Sequence, residues 1–75
     1  MDIRKVIHID NLIKKGASGS PEELSRKIGI TKRSVYNYIK FMKEELGAPI
    51  KYSTIQMSYV YEEKGEFNFQ WKDGE

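Results

Sequence analysis

Residues 20–46 read SPEELSRKIGITKRSVYNYIKFMKEEL, and this stretch predicts two helices in close succession. Ser20 has the side chain of an N-cap, and Glu23 stands where it would complete a capping box. Gly29 suits the left-handed residue that follows a helix, and Thr31 can cap the next helix only two residues later. The spacing therefore predicts a short helix, a tight turn and a longer helix.

A pair of helices joined by about three residues that include a glycine is typical of a helix-turn-helix. The longer helix divides into two faces when its residues are placed at the helical period. One face is apolar and carries Val35, Tyr38, Ile39, Met42 and Leu46. The other is polar and carries Lys32, Arg33, Tyr36, Asn37, Lys40 and Lys43.

The polar face has the groups that reading duplex DNA requires. Arginine and lysine suit phosphates and guanine edges, asparagine suits adenine, and an aromatic ring can contact a thymine methyl group. No acidic residue lies between Arg26 and Lys43, whereas a purely solvating face usually mixes glutamate with its lysines. The pattern favours a surface for a polyanion, with a solvated helix face as the alternative.

The stretch before residue 20 predicts an amphipathic helix from Ile3 to Lys15. Its apolar arc is formed by Ile3, Val6, Ile7, Ile9 and Ile13. His8 falls on the solvent side. Asp10 falls within the apolar arc, where an unpaired carboxylate would be costly, so we expect it to pair with a lysine or arginine or to accept hydrogen bonds from a neighbouring helix N-terminus.

After Pro49 the apolar period changes to two, which predicts three short strands. Ile50 and Tyr52 mark the first strand, Tyr59 and Tyr61 the second, and Phe67, Phe69 and Trp71 the third. Residues 53–57 are the predicted loop of one hairpin, and Lys64-Gly65 the predicted turn of the other.

Composition excludes several classes of protein. With 75 residues the chain is one domain, expected over residues 1–72, with residues 73–75 as a loose end. No cysteine and a single histidine, His8, exclude cysteine-based metal sites and leave no basis for an enzyme, a metal or a cofactor. Residues 6–13 are too interrupted for a signal peptide or a membrane span, so we expect a cytoplasmic protein.

The stretch from Leu24 to Tyr36, followed by Leu46-Gly47-Ala48-Pro49-Ile50, resembles the winged helix-turn-helix of bacterial regulators. The DeoR-like and WYL-associated repressors and the N-terminal domain of the biotin operon repressor are the similar families. The resemblance covers about residues 3–61 and implies that the third helix enters the major groove, with the hairpin against the adjacent backbone or minor groove. The recognition positions it implies are Lys32, Arg33, Ser34, Tyr36, Asn37 and Lys40, with Thr31 as the cap. We count Thr31 with the predicted DNA-binding residues, and the charge pattern adds Lys43.

The sequence thus predicts an α+β fold, a three-helix helix-turn-helix core with a small antiparallel β wing. The expected function is sequence-specific binding of double-stranded DNA by a small stand-alone transcriptional regulator or architectural factor, acting as a homodimer on two half-sites and without a small-molecule effector. The alternative is a protein-interaction module. It would use the C-terminal half, where residues 52–75 hold two basic residues against five acidic ones and carry Tyr59, Tyr61, Phe67, Phe69 and Trp71.

Overall fold

The computed structural model describes residues 2–62 and, for the backbone, residues 65–67 and 71–73. Three helices come first: α1 (Ile3–Lys14), α2 (Pro21–Ile28) and α3 (Lys32–Glu44). They are followed by the strands β1 (Ile50–Ser53), β2 (Ser58–Tyr61), β3 (Gly65–Phe67) and β4 (Trp71–Asp73). The described residues form a small α+β domain in which three helices precede a two-stranded antiparallel hairpin, β1–β2.

The helix starts follow the predicted caps. The Ser20 side chain accepts a hydrogen bond from the Glu23 backbone N–H at 3.2 Å, and the Glu23 carboxylate accepts one from the Ser20 N–H at 3.2 Å. The hydrogen bond that the Glu23 carboxylate accepts from the Ser20 N–H holds the pKa of Glu23 below its usual value. Gly29 ends α2 with φ at +81°, a conformation that glycine adopts without a steric penalty. The predicted capping box and left-handed glycine are confirmed.

The core lies between the three helices and the inner side of the β1–β2 hairpin. Its buried apolar side chains are Val6, Ile9, Ile13, Leu24, Val35, Tyr38, Ile39, Met42, Ala48, Ile50 and Tyr59. Within residues 2–62 they come from all three helices, from both strands of the hairpin and from the segment before β1, so the helices and the hairpin share one core. Burial of this apolar surface is the main favourable contribution to folding.

Two of the apolar positions predicted for α1 are not in the core. Ile3 and Ile7 are 43% and 41% exposed, whereas Val6, Ile9 and Ile13 are buried. The helical period gives the arc of apolar residues but not how much of it neighbouring elements cover. Neighbouring elements cover only the side of α1 that carries Val6, Ile9 and Ile13, so the buried stripe is narrower than the apolar arc.

Asp10 is buried and paired. The hydroxyl of Tyr61 donates to its Oδ1 at 2.5 Å, and Lys14 Nζ lies 3.2 Å from its Oδ2. The expected pairing with a lysine is confirmed. Of the two alternatives the structure therefore has the lysine pair, and the second partner is a side chain of β2, which lies against this part of α1.

This contact makes the stability of the protein sensitive to alkaline pH. Burial, and then the hydrogen bond to Asp10, raise the pKa of Tyr61. The folded state favours the neutral phenol, so this contribution is complete below the unfolded pKa of about 10 and is lost as the pH rises above it. We expect the free energy of unfolding, measured with urea between about pH 8 and pH 11, to fall less steeply in Tyr61→Phe than in the wild type. The same pH dependence in both proteins would contradict this assignment.

The β1–β2 hairpin is attached to the helices by a buried serine in the loop between α1 and α2. Ser18 is completely buried, and its Oγ accepts a hydrogen bond from the Tyr59 backbone N–H at 2.8 Å. The same Oγ lies 2.9 Å from the Oγ of Ser58. Two consecutive residues of β2 are therefore held to the loop by one side chain. The sequence pattern did not reveal this contact.

The first two predicted strands are confirmed, but the prediction of a single third strand is wrong. Ile50 pairs with Tyr61 and Tyr52 with Tyr59 in the antiparallel register. Gly65–Phe67 and Trp71–Asp73 are instead two strands paired with each other, with Phe67 opposite Trp71. Alternation of apolar residues over five positions does not distinguish one strand from two short ones. Phe69 of the predicted strand and Lys64 of the predicted turn lie outside the described residues.

The end of α3 also differs from the prediction. The helix ends at Glu44, so Leu46 follows the helix instead of continuing its apolar face. Gly47, with φ at +71°, turns the chain there, and the Ala48 N–H donates to the Met42 carbonyl at 2.9 Å. Leu46 is half-buried against the core.

Candidate nucleic-acid interface

The outward face of α3 begins at a well-formed cap. Thr31 Oγ1 accepts a hydrogen bond from the Ser34 backbone N–H at 3.1 Å, and its hydroxyl donates to Ser34 Oγ at 3.0 Å. Ser34 is half-buried, and Thr31 is exposed. Both side chains hydrogen-bond to each other at the start of the helix, so their role in the described structure is to fix the first turn of α3.

The side chains predicted to contact DNA come together on one exposed face. Six of the eight predicted residues are exposed along α3: Lys32, Arg33, Tyr36, Asn37, Lys40 and Lys43. The opposite side of the same helix is the core, with Val35 and Met42 fully buried. The orientation of the basic face is therefore fixed by packing on the other side of the helix, as the two-faced pattern predicted.

The charges on this face differ in their partners. Within residues 2–62, Lys32, Arg33 and Lys43 make no ion pair. Lys40 lies 4.0 Å from Glu44, and both side chains are well exposed, so this contact is weak. Among the described residues, three fixed positive charges on α3 therefore have no acidic partner, and a fourth is only weakly paired.

The basic residues of α2 are engaged elsewhere. Arg26 pairs with Glu22 at 3.7 Å, and Lys27 Nζ donates to the Ala17 carbonyl at 2.5 Å. Lys27 thus holds the α1–α2 loop against α2. Of the basic run from Arg26 to Lys43, four members have no acidic partner within residues 2–62, and all of them except Lys27 lie on α3: Lys27, Lys32, Arg33 and Lys43.

Two acidic residues, Glu44 and Glu45, lie where the basic face ends, at the C-terminal end of α3. A shallow groove of about 300 Å³ lies there, lined by Asn37, Lys40, Phe41, Glu44 and Glu45. Glu44 and Glu45 would repel phosphates. A polyanion is therefore expected to contact the first three turns of α3 and to leave the helix near Lys43.

Two tyrosines of the hairpin pack against each other, a contact that the sequence reasoning missed. The rings of Tyr52 and Tyr59 meet edge to face, with centroids 5.2 Å apart. Burial raises the pKa of Tyr59, and the phenols of Tyr36 and Tyr52 add smaller contributions in the same direction. Tyr36 is half exposed on the basic face, whereas Tyr59 is buried. The pairing of Tyr52 with Tyr59 could have been read from the strand alternation.

Neither a metal site nor a membrane-spanning helix is found in the part of the chain that the structure describes. Residues 2–62 contain no group of three or more histidine, aspartate or glutamate side chains placed to hold a metal ion. None of the described helices has the length and apolar character needed to cross a membrane.

The chain was compared with protein-family models, curated proteins and solved structures, and none of them matches it. The function therefore has to be inferred from the surface itself.

Proposed function

We propose that this protein binds double-stranded DNA through the outward face of α3, as a small transcriptional regulator of winged-helix type. The observation that carries the proposal is that Lys32, Arg33 and Lys43 make no ion pair within residues 2–62 and lie on a helix whose other side is packed in the core. A rigid, basic, convex helix is the element that fits the major groove.

The chemistry along this helix favours reading bases as well as holding phosphates. Arg33 and Asn37 lie four residues apart, so they share one stripe of α3. Both side chains have forked groups that can engage a base edge at two points. Lys40 and Lys43 follow toward the end of the helix, where charges are better placed for the backbone.

The arrangement of elements is compatible with this role. A three-residue connection joins α2 to α3, and the β1–β2 hairpin follows α3, an order of elements that is compatible with a helix-turn-helix and a wing. A single module of this size buries about 600–1,000 Å² on DNA. We therefore propose that two copies bind two half-sites about one helical turn apart.

A protein-interaction function through the C-terminal half is less well supported. Tyr59, one of its aromatic residues, is 6% exposed and belongs to the core, and Tyr61 is hydrogen-bonded to Asp10. These two tyrosines are used inside the domain. The side chains of Phe67, Phe69 and Trp71 lie outside the described residues.

The direct test is the salt dependence of binding to duplex DNA. If about four to six phosphates are neutralised, the logarithm of the affinity should fall against the logarithm of salt concentration with a slope of about −4 to −5. We expect Lys43→Gln to reduce the magnitude of that slope by about one. Fluorescence anisotropy with a labelled duplex measures both.

Lys5→Gln is the matched control, because it removes a positive charge from α1, where Lys5 is paired with Asp2 at 3.6 Å. The slope should not change in this variant. Absence of binding at low salt, or an affinity that does not depend on salt, would contradict the proposed function.

A further inference from the structure

Tyr36 differs in chemistry from the side chains around it on the outward face of α3. Among the exposed residues of that face it has the large apolar surface, and the others carry charged or amide groups: Lys32, Arg33, Asn37, Lys40 and Lys43. Tyr36 is 50% exposed, and its hydroxyl makes no hydrogen bond within residues 2–62. The face therefore offers one aromatic ring for a group that its polar side chains do not suit.

The position of Tyr36 on the helix favours a base edge over a phosphate. At about 100° per residue, Arg33 points almost directly away from the core side of α3, and Lys32 and Lys43 point to one side of that direction. Tyr36 falls between Arg33 and this pair. When a helix lies in a groove, its most outward residues face the bases and its lateral residues face the backbone. We therefore expect Tyr36 over the outer part of a base edge.

The base pair next to the one that Arg33 contacts is the expected partner of Tyr36. Side chains of a helix lean toward its N-terminus, so the ring of Tyr36 is expected over the turn that holds Arg33. On a helix in the major groove, residues three apart can contact successive bases. Arg33 makes no ion pair within residues 2–62, and a guanidinium suits the O6 and N7 atoms of guanine. The ring would then meet the neighbour of a guanine.

The major groove presents one apolar group to such a ring, the methyl group at C5 of a pyrimidine. Guanine, adenine and unmodified cytosine present hydrogen-bond donors and acceptors there, which lysine, arginine and asparagine suit better than a ring does. Thymine carries this methyl group, and 5-methylcytosine carries the same group at the same ring atom. Burial of one such group against an apolar surface is worth about a factor of four in affinity.

We propose that the ring of Tyr36 reads the C5-methyl group of a pyrimidine in the base pair next to the guanine that Arg33 contacts. This inference rests on the proposed function, since α3 must lie in the major groove for the ring to reach a base edge. It adds a consequence that charge and hydrogen bonding do not have. Where cytosine stands at this position, its methylation raises the affinity of the site.

The experiment compares duplexes that differ by one methyl group. Selection from random duplexes with the full chain supplies the preferred site. Each pyrimidine in a base pair next to a guanine is then made thymine, uracil, cytosine or 5-methylcytosine in turn, with the matching base opposite. Uracil is thymine without the methyl group. Fluorescence anisotropy gives the dissociation constant for each duplex, and the ratio within a pair isolates the effect of the methyl group.

At one position in each half-site, we expect thymine to bind about 3- to 5-fold more tightly than uracil, and 5-methylcytosine about 3- to 5-fold more tightly than cytosine. In Tyr36→Ala both ratios should fall to about one. In Tyr36→Phe they should stay as in the wild type, because the ring remains and only the hydroxyl is lost. Each ratio is measured within one variant, so a small change in stability does not affect it.

Lys40→Gln is the matched control, since it changes an exposed side chain of the same face that has no ring. It should weaken binding to both members of each pair by the same factor and leave the ratios unchanged. The two pairs also distinguish the sources of the methyl group. An effect in the thymine pair alone assigns thymine, and an effect in the cytosine pair alone assigns 5-methylcytosine.

Three results would overturn this inference and leave the proposed function standing. In the first, the wild-type protein binds both members of every pair equally. In the second, the methyl effect survives in Tyr36→Ala, so another side chain is the reader. In the third, the effect is lost in Tyr36→Phe, so the hydroxyl is responsible and not the ring. Absence of DNA binding at low salt would overturn the inference and the proposed function together.

Discussion

Replacing Arg33 or Asn37 with alanine is expected to lower affinity for the preferred DNA site by about 1–3 kcal/mol and to relax the preference at about one or two base pairs. Both side chains are exposed on one stripe of α3, and Arg33 makes no ion pair within residues 2–62, so its guanidinium is available for a base edge. Selection of bound fragments from random duplexes supplies the preferred site. Competition between that site and a scrambled duplex then measures the loss of specificity.

Lys43→Ala is the companion variant. It removes an unpaired charge from the same face near the end of α3, where we expect a phosphate contact and no base contact. It should weaken binding to the preferred and scrambled duplexes by the same factor. Equal losses on both duplexes for Arg33→Ala and Asn37→Ala would show that α3 does not read the sequence.

Leu24→Ala is expected to have the largest effect on stability, lowering the free energy of unfolding by about 2–5 kcal/mol. Leu24 is completely buried between α2 and the rest of the core. A loss of this size is a large fraction of the total stability of a small domain, about 5–15 kcal/mol, so the midpoint of unfolding should move to a clearly lower urea concentration.

Urea unfolding followed by circular dichroism measures this loss, and Ile7→Ala provides the comparison. Ile7 is 41% exposed, so its truncation should cost about 1 kcal/mol or less. A similar cost for the two variants would mean that the packing around Leu24 is not as described.

The helix boundaries could be predicted because their signals are local. The capping box at Ser20 and Glu23, the left-handed Gly29 and the Thr31 cap each involve residues within one turn of one another. The two faces of α3 followed from the helical period for the same reason. The residues of the candidate interface were therefore identified from the sequence, and the structure adds which of their charges are unopposed.

The contacts that depend on the fold could not be predicted in this way. Asp10 and Tyr61 are 51 residues apart, and Ser18 and Tyr59 are 41 apart. An isolated aspartate on an apolar arc indicates that a partner is needed, but it does not say which element supplies it. The exposure of Ile3 and Ile7 has the same origin, since coverage of α1 depends on where distant elements lie.

The buried Ser18 determines when the conformational entropy of the hairpin is lost. Because its hydroxyl holds the Tyr59 N–H and lies against Ser58, the orientation of the hairpin relative to the helices is set when the protein folds. The entropy cost of fixing it is then part of the folding free energy and does not reduce the affinity for a ligand. A partner that contacts α3 and the hairpin together meets a surface whose two parts are preorganised.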